Sequence, residues 1–132
     1  MSFLLDTNIC SAFLKRPGQV THRFFQHVGS LHVSTVIVGE LYVWAFRRPN
    51  PEILLRAIED ELLAEMTVLP YTAPCAREYG RLRAAQLSVG RVVNPVDLMI
   101  AATALAHGLT VVTNNVKDFA GIPDLRVEDW LQ

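Results

Sequence analysis

Residues 3–8 read Phe-Leu-Leu-Asp-Thr-Asn, a short apolar run that ends at three polar residues. A run of this kind is typical of a buried strand, and Asp, Thr and Asn are residue types that begin helices or make turns. The segment therefore predicts a strand over residues 3–5 that leads directly into a helix from residue 7 or 8 to residue 15. Asp6 then stands at the point where the strand ends.

The same change from strand to helix continues along the chain. Strands are predicted over residues 31–34, 66–69, 109–112 and near 126–127, and helices over residues 20–28, 36–46, 52–65, 74–88 and 96–107. Segment 36–46 is ambiguous, because its length favours a helix while its β-branched start suits a strand. Alternating strands and helices indicate an α/β fold with a parallel sheet covered on both faces by crossover helices. No linker or repeat divides the chain, so we expect one domain spanning residues 1–132.

Composition narrows the classes of function. The 132 residues are 51% apolar and 19% charged, as in ordinary globular proteins. Twelve Lys and Arg stand against thirteen Asp and Glu, so the whole-molecule charge of -1 does not itself favour nucleic acid, and any RNA contact must come from local basic patches. Cys10 and Cys75 have neither zinc-site spacing nor the number needed for a disulfide framework, which favours core positions in a reducing cytosol. We expect a cytoplasmic protein.

The apolar segments predict neither a signal peptide nor a membrane-spanning helix. The chain starts without the pattern of a signal peptide. The uncharged stretch over residues 98–116 is almost as long as the roughly 20 residues of a spanning helix. His107-Gly108 interrupts that stretch, so a soluble helix, a turn and a buried strand explain it better.

Four carboxylates fall near predicted strand ends on one side of the sheet: Asp6, Glu40, Asp97 and Asp118. Ligands of open α/β sheets bind at the carboxyl ends of strands. Asp6 is also explained as a helix cap, Asp97 as a favourable charge in the first turn of a helix, and Asp118 as a solvated loop acid. Each residue alone has a structural explanation, and it is their common location at one edge of the sheet that indicates a functional site.

Glu40 is the most informative of the four, because it interrupts an otherwise apolar segment. A lone ionised carboxylate in apolar surroundings is costly unless it is paired. The pairing partner is either a buried arginine, with Arg47, Arg81 and Arg83 as candidates, or a metal ion in an active site.

If three such carboxylates lie close together, their negative charges must be neutralised. At a separation of about 5 Å each pair repels by roughly 3 kcal/mol at an effective dielectric constant of about 20. Protons could neutralise them, but a hard divalent cation such as Mg²⁺ or Mn²⁺ satisfies all three at once. Such an ion also polarises a phosphoryl oxygen and generates hydroxide from water, so the cluster predicts phosphodiester hydrolysis.

Short segments along nearly the whole chain resemble the PIN-domain family, and specifically its VapC-type toxins. They are Leu-Leu-Asp-Thr-Asn at 4–8, Val-Ser-Thr-Val at 33–36 with Gly-Glu-Leu at 39–41, Asp-Leu-Met-Ile-Ala-Ala at 97–102, and Val-Val-Thr-Asn-Asn at 111–115 with Asp-Phe at 118–119. The resemblance implies a three-layer α/β/α sandwich with a central, mainly parallel sheet. It also implies a Mg²⁺- or Mn²⁺-dependent endoribonuclease toxin that cleaves single-stranded or loop RNA.

The resemblance further implies partners. Proteins of this family form homodimers and bind a VapB-type antitoxin, whose C-terminal segment covers the acidic pocket, in assemblies of higher order. RNA is then the substrate and the antitoxin the inhibitor.

Residue roles follow from the same resemblance. Asp6 and Asp97 would hold the metal, Glu40 would ligate it or orient the attacking water, and Asn8 or Thr113 would hydrogen-bond the carboxylates. Many relatives have Asp where this chain has Asn115, so either Asn115 or Asp118 fills the fourth acidic position. That departure leaves open whether one metal ion or two bind.

Four clustered arginines are candidates for contacts with RNA phosphates: Arg47, Arg48, Arg81 and Arg83. Their alternative explanation is a solvated helix face.

Two other functions compete with a ribonuclease. A phosphohydrolase with an aspartate nucleophile normally has a second Asp two residues after the first, and this chain has Asn8 there. A PIN-like module that binds RNA or protein after losing its chemistry is suggested by Asn115. Retention of Asp6, Glu40 and Asp97 favours the enzyme over that module.

Overall fold

Five strands form one parallel sheet in the computed structural model, which describes residues 1–131. They are β1 (Phe3–Leu5), β2 (Leu31–Ser34), β3 (Thr67–Leu69), β4 (Thr110–Val112) and β5 (Val127–Glu128). The strand order is β3-β2-β1-β4-β5, and every neighbouring pair is parallel. The predicted α/β fold with a central parallel sheet is confirmed, and β1 is its middle strand. Gln132, the last residue of the single domain predicted over 1–132, lies outside the described residues.

Helices connect successive strands, as a parallel sheet requires. They are α1 (Thr7–Lys15), α2 (Thr21–Gln26), α3 (Thr35–Phe46), α4 (Glu52–Arg56), α5 (Ala73–Ser88) and α6 (Pro95–His107). A 3₁₀ turn, Pro17–Gln19, precedes α2, and another, Val116–Phe119, follows β4. The ambiguous segment over 36–46 is helical, and Gly108 ends α6 in the left-handed conformation with φ 66°, which glycine adopts without steric cost.

The helix predicted over residues 52–65 is helical throughout, but its hydrogen bonding changes along its length. After α4 the chain continues as a π-helix, Ala57–Leu62, and then as a 3₁₀ turn, Leu63–Glu65. Ile58 and Leu62 of the π-helix are fully buried. Apolar periodicity predicts these buried positions, but Ile53 of the same apolar stripe is 76% exposed. Periodicity also carries no information about which carbonyl each amide bonds.

The core lies on both faces of the central strands. All three residues of β1 and all three of β4 are buried, which is the pattern of parallel strands covered by helices on both sides. Cys10 and Cys75 are buried free thiols. Within residues 1–131, no helix combines the length and the apolar character that crossing a membrane would take.

An aromatic cluster holds the last described residues against the core. Trp130 is only 3% exposed, and its ring lies 5.1 Å from that of Phe3 and 5.3 Å from the imidazole of His27, measured between centroids. The Trp130 indole donates a hydrogen bond of 3.1 Å to the Glu128 carboxylate. The segment after β5 is thereby fixed to the start of β1.

Candidate active site

Three of the predicted acidic residues line one cavity at the carboxyl edge of the sheet. Asp6 directly follows β1, Glu40 lies in α3 after β2, and Asp97 lies in the first turn of α6. Together with Asn115 they line a cavity of about 410 Å³. The topology therefore brings residues 6, 40 and 97 of the sequence to one place.

The Asp6 carboxylate is held by hydrogen bonds on both oxygens. Oδ1 accepts a bond of 2.8 Å from the backbone N–H of Thr7, and Oδ2 accepts one of 2.7 Å from Thr113 Oγ1. Asp6 is 7% exposed and is the N-cap of α1. The capping role and a place in the acidic cavity therefore coexist in one residue.

Thr113 connects three polar groups beneath the cavity. Its fully buried Oγ1 donates to Asp6 and accepts hydrogen bonds from Asn8 Nδ2 at 3.3 Å and from the backbone N–H of Asn115 at 3.0 Å. Asn8 Nδ2 also approaches Asp6 Oδ2 at 3.4 Å, while its Oδ1 accepts from the N–H of Asn114 at 2.9 Å. This network fixes the loop after β4 to the start of α1.

Glu40 has no cationic partner in the described part of the chain. The one ion pair within residues 1–131 joins Arg81 to Glu78, with 2.6 Å between the guanidinium and the carboxylate. Pairing of Glu40 with Arg47, Arg81 or Arg83 is therefore not what the structure contains. Glu40 is half-buried and faces the cavity, so its charge is partly solvated rather than enclosed in apolar surroundings.

Asp97 carries the clearest electrostatic sign of convergence. Asn94 caps α6 by accepting hydrogen bonds from the N–H groups of Val96 at 2.8 Å and Asp97 at 3.4 Å. Partial burial, followed by the charges of Asp6, Asp118 and Glu40, raises the pKa of the Asp97 carboxyl from 3.8 to about 6. The other three carboxylates are thus close enough to oppose ionisation of Asp97.

Both candidates for the fourth position lie beside this cluster, each in a different cavity that Asp97 also lines. Asn115 lines the same cavity as Asp6 and Glu40. Asp118 lies in the 3₁₀ turn after β4, and it shares with Asp97 a second cavity of about 360 Å³. The predicted acid and the amide are therefore both adjacent to the cluster, and Asp97 is common to the two cavities.

The donor chemistry of the first cavity fits a hydrated Mg²⁺ or Mn²⁺ ion. Carboxylate oxygens are ligands that such hard cations prefer, and Mg²⁺ commonly binds through one or two carboxylates while it retains several water molecules. Over residues 1–131, no three His, Cys, Asp or Glu side chains are gathered closely enough to ligate one ion directly. The open, mutually repelling arrangement suits an ion that is held partly through water.

The arginines predicted to contact RNA line neither acidic cavity. Arg47 and Arg48 are exposed after α3, and Arg81 pairs with Glu78 within α5. Arg83 is half-buried, and its Nη1 has no hydrogen-bond partner among the described residues. None of the four lines the cavities that contain Asp97. Their contact with RNA stays a prediction.

Two basic residues that sequence reasoning passed over lie next to the cluster. Arg91 and Lys117 line the second cavity together with Asp97 and Asp118. The available signal was sequence proximity, because Arg91 precedes the cap of α6 by three residues and Lys117 adjoins Asp118.

A parallel sheet with an acidic cavity at its carboxyl edge is the arrangement that the resemblance to PIN domains leads us to expect. Comparison with known proteins supports membership of that family. The sequence model of the PIN domain family matches residues 3–125, and the chain belongs to this family. Curated relatives of the chain are VapC proteins, so the resemblance of the sequence to VapC-type toxins is confirmed. The chain is 40% identical to the tRNA(fMet)-specific endonuclease VapC of Shigella flexneri over 98% of both chains, and 36% identical to Ribonuclease VapC2 of Haemophilus influenzae over 99% of both.

Solved structures agree with this assignment. The chain superposes with a TM-score of 0.91 on a chain of the DNA-bound VapBC complex from Salmonella typhimurium, at 35% identity and 98% coverage of both chains. It superposes equally well, with a TM-score of 0.91 at 28% identity, on a chain of VapBC2 from Rickettsia felis bound to a promoter DNA fragment, covering 98% of this chain and 99% of that one. The fold therefore matches these chains over nearly their whole length.

Proposed function

We propose that this chain is the ribonuclease toxin of a toxin–antitoxin pair, acts in the cytoplasm, and cleaves RNA phosphodiester bonds at the cavity lined by Asp6, Glu40 and Asp97. The observation that carries the proposal is that these carboxylates line one cavity, in a chain similar over almost its full length to VapC ribonucleases. The substrate class is RNA with single-stranded or loop segments. Transfer RNA is the first substrate to test, since two relatives are named for tRNA(fMet).

Asp6, Asp97 and Glu40 would hold Mg²⁺ or Mn²⁺. When bound, such an ion supplies a Lewis acid that polarises a phosphoryl oxygen and lowers the pKa of water. The chain itself supplies orientation: Thr113 and the N–H of Thr7 keep the Asp6 carboxylate facing the cavity. Glu40, free of any ion pair in the described chain, is available to ligate the ion or to accept a hydrogen bond from the attacking water.

The partners are inferred from structural relatives that are VapBC complexes. We infer a VapB-type antitoxin as the neutralising partner and a homodimer as the unit that binds it. Co-expression with the product of an adjacent antitoxin gene should yield a complex in which RNA cleavage is suppressed. Light scattering of the free toxin should give twice the chain mass of 14.7 kDa.

Cleavage of purified RNA tests the enzymatic proposal. Wild-type protein is incubated with tRNA and with an unstructured RNA, with and without Mn²⁺, beside Asp6→Asn and a matched control, Asp60→Asn, at an exposed position outside both cavities. We expect metal-dependent cleavage by the wild type and by Asp60→Asn, and a loss of at least about 100-fold in Asp6→Asn, an effect of the size expected when an electrostatic contributor to catalysis is removed. Absence of metal-dependent cleavage by the wild type, or undiminished cleavage by Asp6→Asn, would contradict the proposal.

A non-catalytic PIN-like module is the second candidate, and Asn115 in the first cavity is the observation that favours it. This module would bind RNA without cutting it. The same experiment separates the two functions, because the module retains RNA binding while neither Mn²⁺ nor Mg²⁺ produces cleavage products.

A further inference from the structure

The second cavity adjoins the first one at Asp97. Asp97 lines both, and the second cavity is also lined by Arg91, Lys117 and Asp118. An RNA strand whose scissile phosphate lies at the first cavity must pass through neighbouring space. The second cavity, of about 360 Å³, is the adjoining opening that contains cationic side chains.

Arg91 is positioned by the loop that follows β4. Its Nη2 donates to the carbonyl oxygen of Ala120 at 3.5 Å. Its Nη1 lies over Gly121, where a Cβ atom would stand only 2.5 Å from that nitrogen. Gly121 has φ 82°, a conformation that side chains rarely adopt, so glycine both permits this turn and leaves room for the guanidinium.

Both cations retain unused binding capacity. A guanidinium has five N–H donors, and the Arg91 side chain makes one hydrogen bond with the described residues. Although Arg91 and Lys117 share a cavity with two carboxylates, neither forms an ion pair within 4 Å in the described chain, where the only such pair is Arg81–Glu78. Their charges are therefore available to an external anion.

The electrostatics of the site favour such cations beside the carboxylates. The carboxylates of the first cavity repel the phosphates of RNA, and a net charge of -1 supplies no attraction from the molecule as a whole. Positive charge beside the acidic cluster would offset the repulsion where the strand crosses it. A phosphodiester matches this environment, because it offers anionic oxygens to Arg91 and Lys117 while the carboxylates remain unpaired.

We propose that Arg91 and Lys117 form a binding subsite for a backbone phosphate next to the scissile one, which aligns the RNA strand over the first cavity. The inference rests on the proposed ribonuclease function, since it assumes that RNA is the substrate of the neighbouring cavity. Arg91 and Lys117 are positioning residues: they bind the strand and do not take part in bond cleavage.

The test measures RNA binding in the absence of cleavage. A fluorescein-labelled single-stranded RNA is titrated in EDTA with wild type, Arg91→Gln, Lys117→Gln and Arg91→Lys, over a salt range of about 0.05–0.3 M. Arg16→Gln is the matched control, because the exposed Arg16 follows the far end of α1, whose other end adjoins Asp6. Fluorescence anisotropy gives the association constant at each salt concentration.

Each Gln variant should lose one phosphate contact. For a single strand this makes the slope of log K against log salt shallower by about 0.7, which corresponds to roughly five-fold weaker binding at about 0.1 M salt. Arg91→Lys should retain most of the slope, and Arg16→Gln all of it. In cleavage assays with metal, Arg91→Gln should raise KM and leave kcat nearly unchanged, because the contact is present in both the ground state and the transition state.

The outcomes separate this inference from the ribonuclease proposal. If wild type cleaves RNA while both Gln variants bind like Arg16→Gln, the subsite is wrong and the ribonuclease stands. If wild type binds RNA with the expected dependence on Arg91 and Lys117 but never cleaves it, the two residues bind a backbone phosphate in a non-cleaving module, and the ribonuclease proposal fails. Absence of RNA binding by the wild type in EDTA overturns the subsite.

Discussion

Replacement of Asp97 by Asn is expected to stabilise the metal-free protein above pH 6 while it impairs the proposed cleavage. Burial and three neighbouring carboxylates raise the pKa of Asp97 in the folded state to about 6, against 3.8 for the unperturbed group. Between these values the folded state binds more protons than the unfolded state, so the wild type loses stability as pH rises from about 4 to about 6. Asn does not titrate, so Asp97→Asn escapes this loss.

The size of the effect follows from the shift and its screening. A shift of about two pKa units corresponds to at most roughly 3 kcal/mol, at about 1.36 kcal/mol per unit. Asp97 is only half-buried, so solvent screens the repulsion, and the dipole of α6 favours a charge in its first turn by roughly 0.3–1 kcal/mol. The expected net gain above pH 6 is therefore about 1 kcal/mol, or roughly 3–5 °C in Tm for a chain of this size.

Urea unfolding in EDTA at about pH 4.5 and pH 8, spanning the two pKa values, measures this gain. The advantage of Asp97→Asn should be clearly smaller at the lower pH, and the exposed control Asp60→Asn should show no such dependence. Addition of Mg²⁺ or Mn²⁺ at about ten times its Kd should stabilise the wild type by roughly 1.4 kcal/mol and the variant by less. Equal stability of Asp97→Asn and wild type at pH 8, or an advantage independent of pH, would refute the electrostatic account.

Three further substitutions, one of them with a matched control, test other contacts. Thr113→Val removes the 2.7 Å donor to Asp6 and should lower the free energy of unfolding by about 1–3 kcal/mol and also slow RNA cleavage. Thr103→Val, at a buried threonine that donates to the Met99 carbonyl and lines neither acidic cavity, should leave the cleavage rate unchanged, and equal rates for both variants would show that the Thr113 contact is not functional. Gly108→Ala should cost roughly 1–2 kcal/mol in urea unfolding because φ is 66° there, with unchanged cleavage per folded molecule. Trp130→Ala should cost about 3–5 kcal/mol, and an unchanged thermal midpoint would show that the end of the chain is not part of the cooperative core.

Most of the fold could be predicted from the sequence because each element carries its own signal. The five strands were placed within one residue of their observed bounds at most ends, since short apolar runs closed by polar or proline residues identify buried strands. Helix α6 was placed through Pro95 at its start and Gly108 at its end. The π-helix Ala57–Leu62 could not be predicted, because the same face is buried whether the amides bond four or five residues back.

The surroundings of Glu40 show a second limit of prediction from the sequence. Its segment is apolar in composition, which predicted a deeply buried charge that needs a partner. In the structure α3 leaves Val43 and Phe46 exposed, and Glu40 opens onto the cavity. A helix that is apolar all round gives no signal about which face is free, so the solvation of Glu40 could be found only from tertiary structure.

The only sequence signal for Arg91 and Lys117 was that they lie near the cap of α6 and beside Asp118. The two residues belong to separate segments, and the position of the Arg91 guanidinium depends on the turn at Gly121 that accommodates it. Propensity and periodicity describe segments one at a time, so they do not predict contacts between loops. The four arginines that the sequence offers as RNA contacts are two pairs of clustered bases in a nearly neutral protein, and none of them lines the acidic cavities.

The functional inference rests on the residues that folding does not explain. Asp6 satisfies every local rule, because Oδ1 caps α1 and Oδ2 is bound by Thr113, so by itself it would be equally expected in a protein without an active site. Glu40 has no ion-pair partner in the described chain, and the other carboxylates oppose ionisation of Asp97. Repulsion between the carboxylates reduces the stability of the metal-free protein. A bound cation would relieve that repulsion, and this relief would contribute to the affinity for the metal. Stability and metal binding should therefore change in opposite directions when Asp97 is neutralised, a relation that a purely structural role for these carboxylates does not predict.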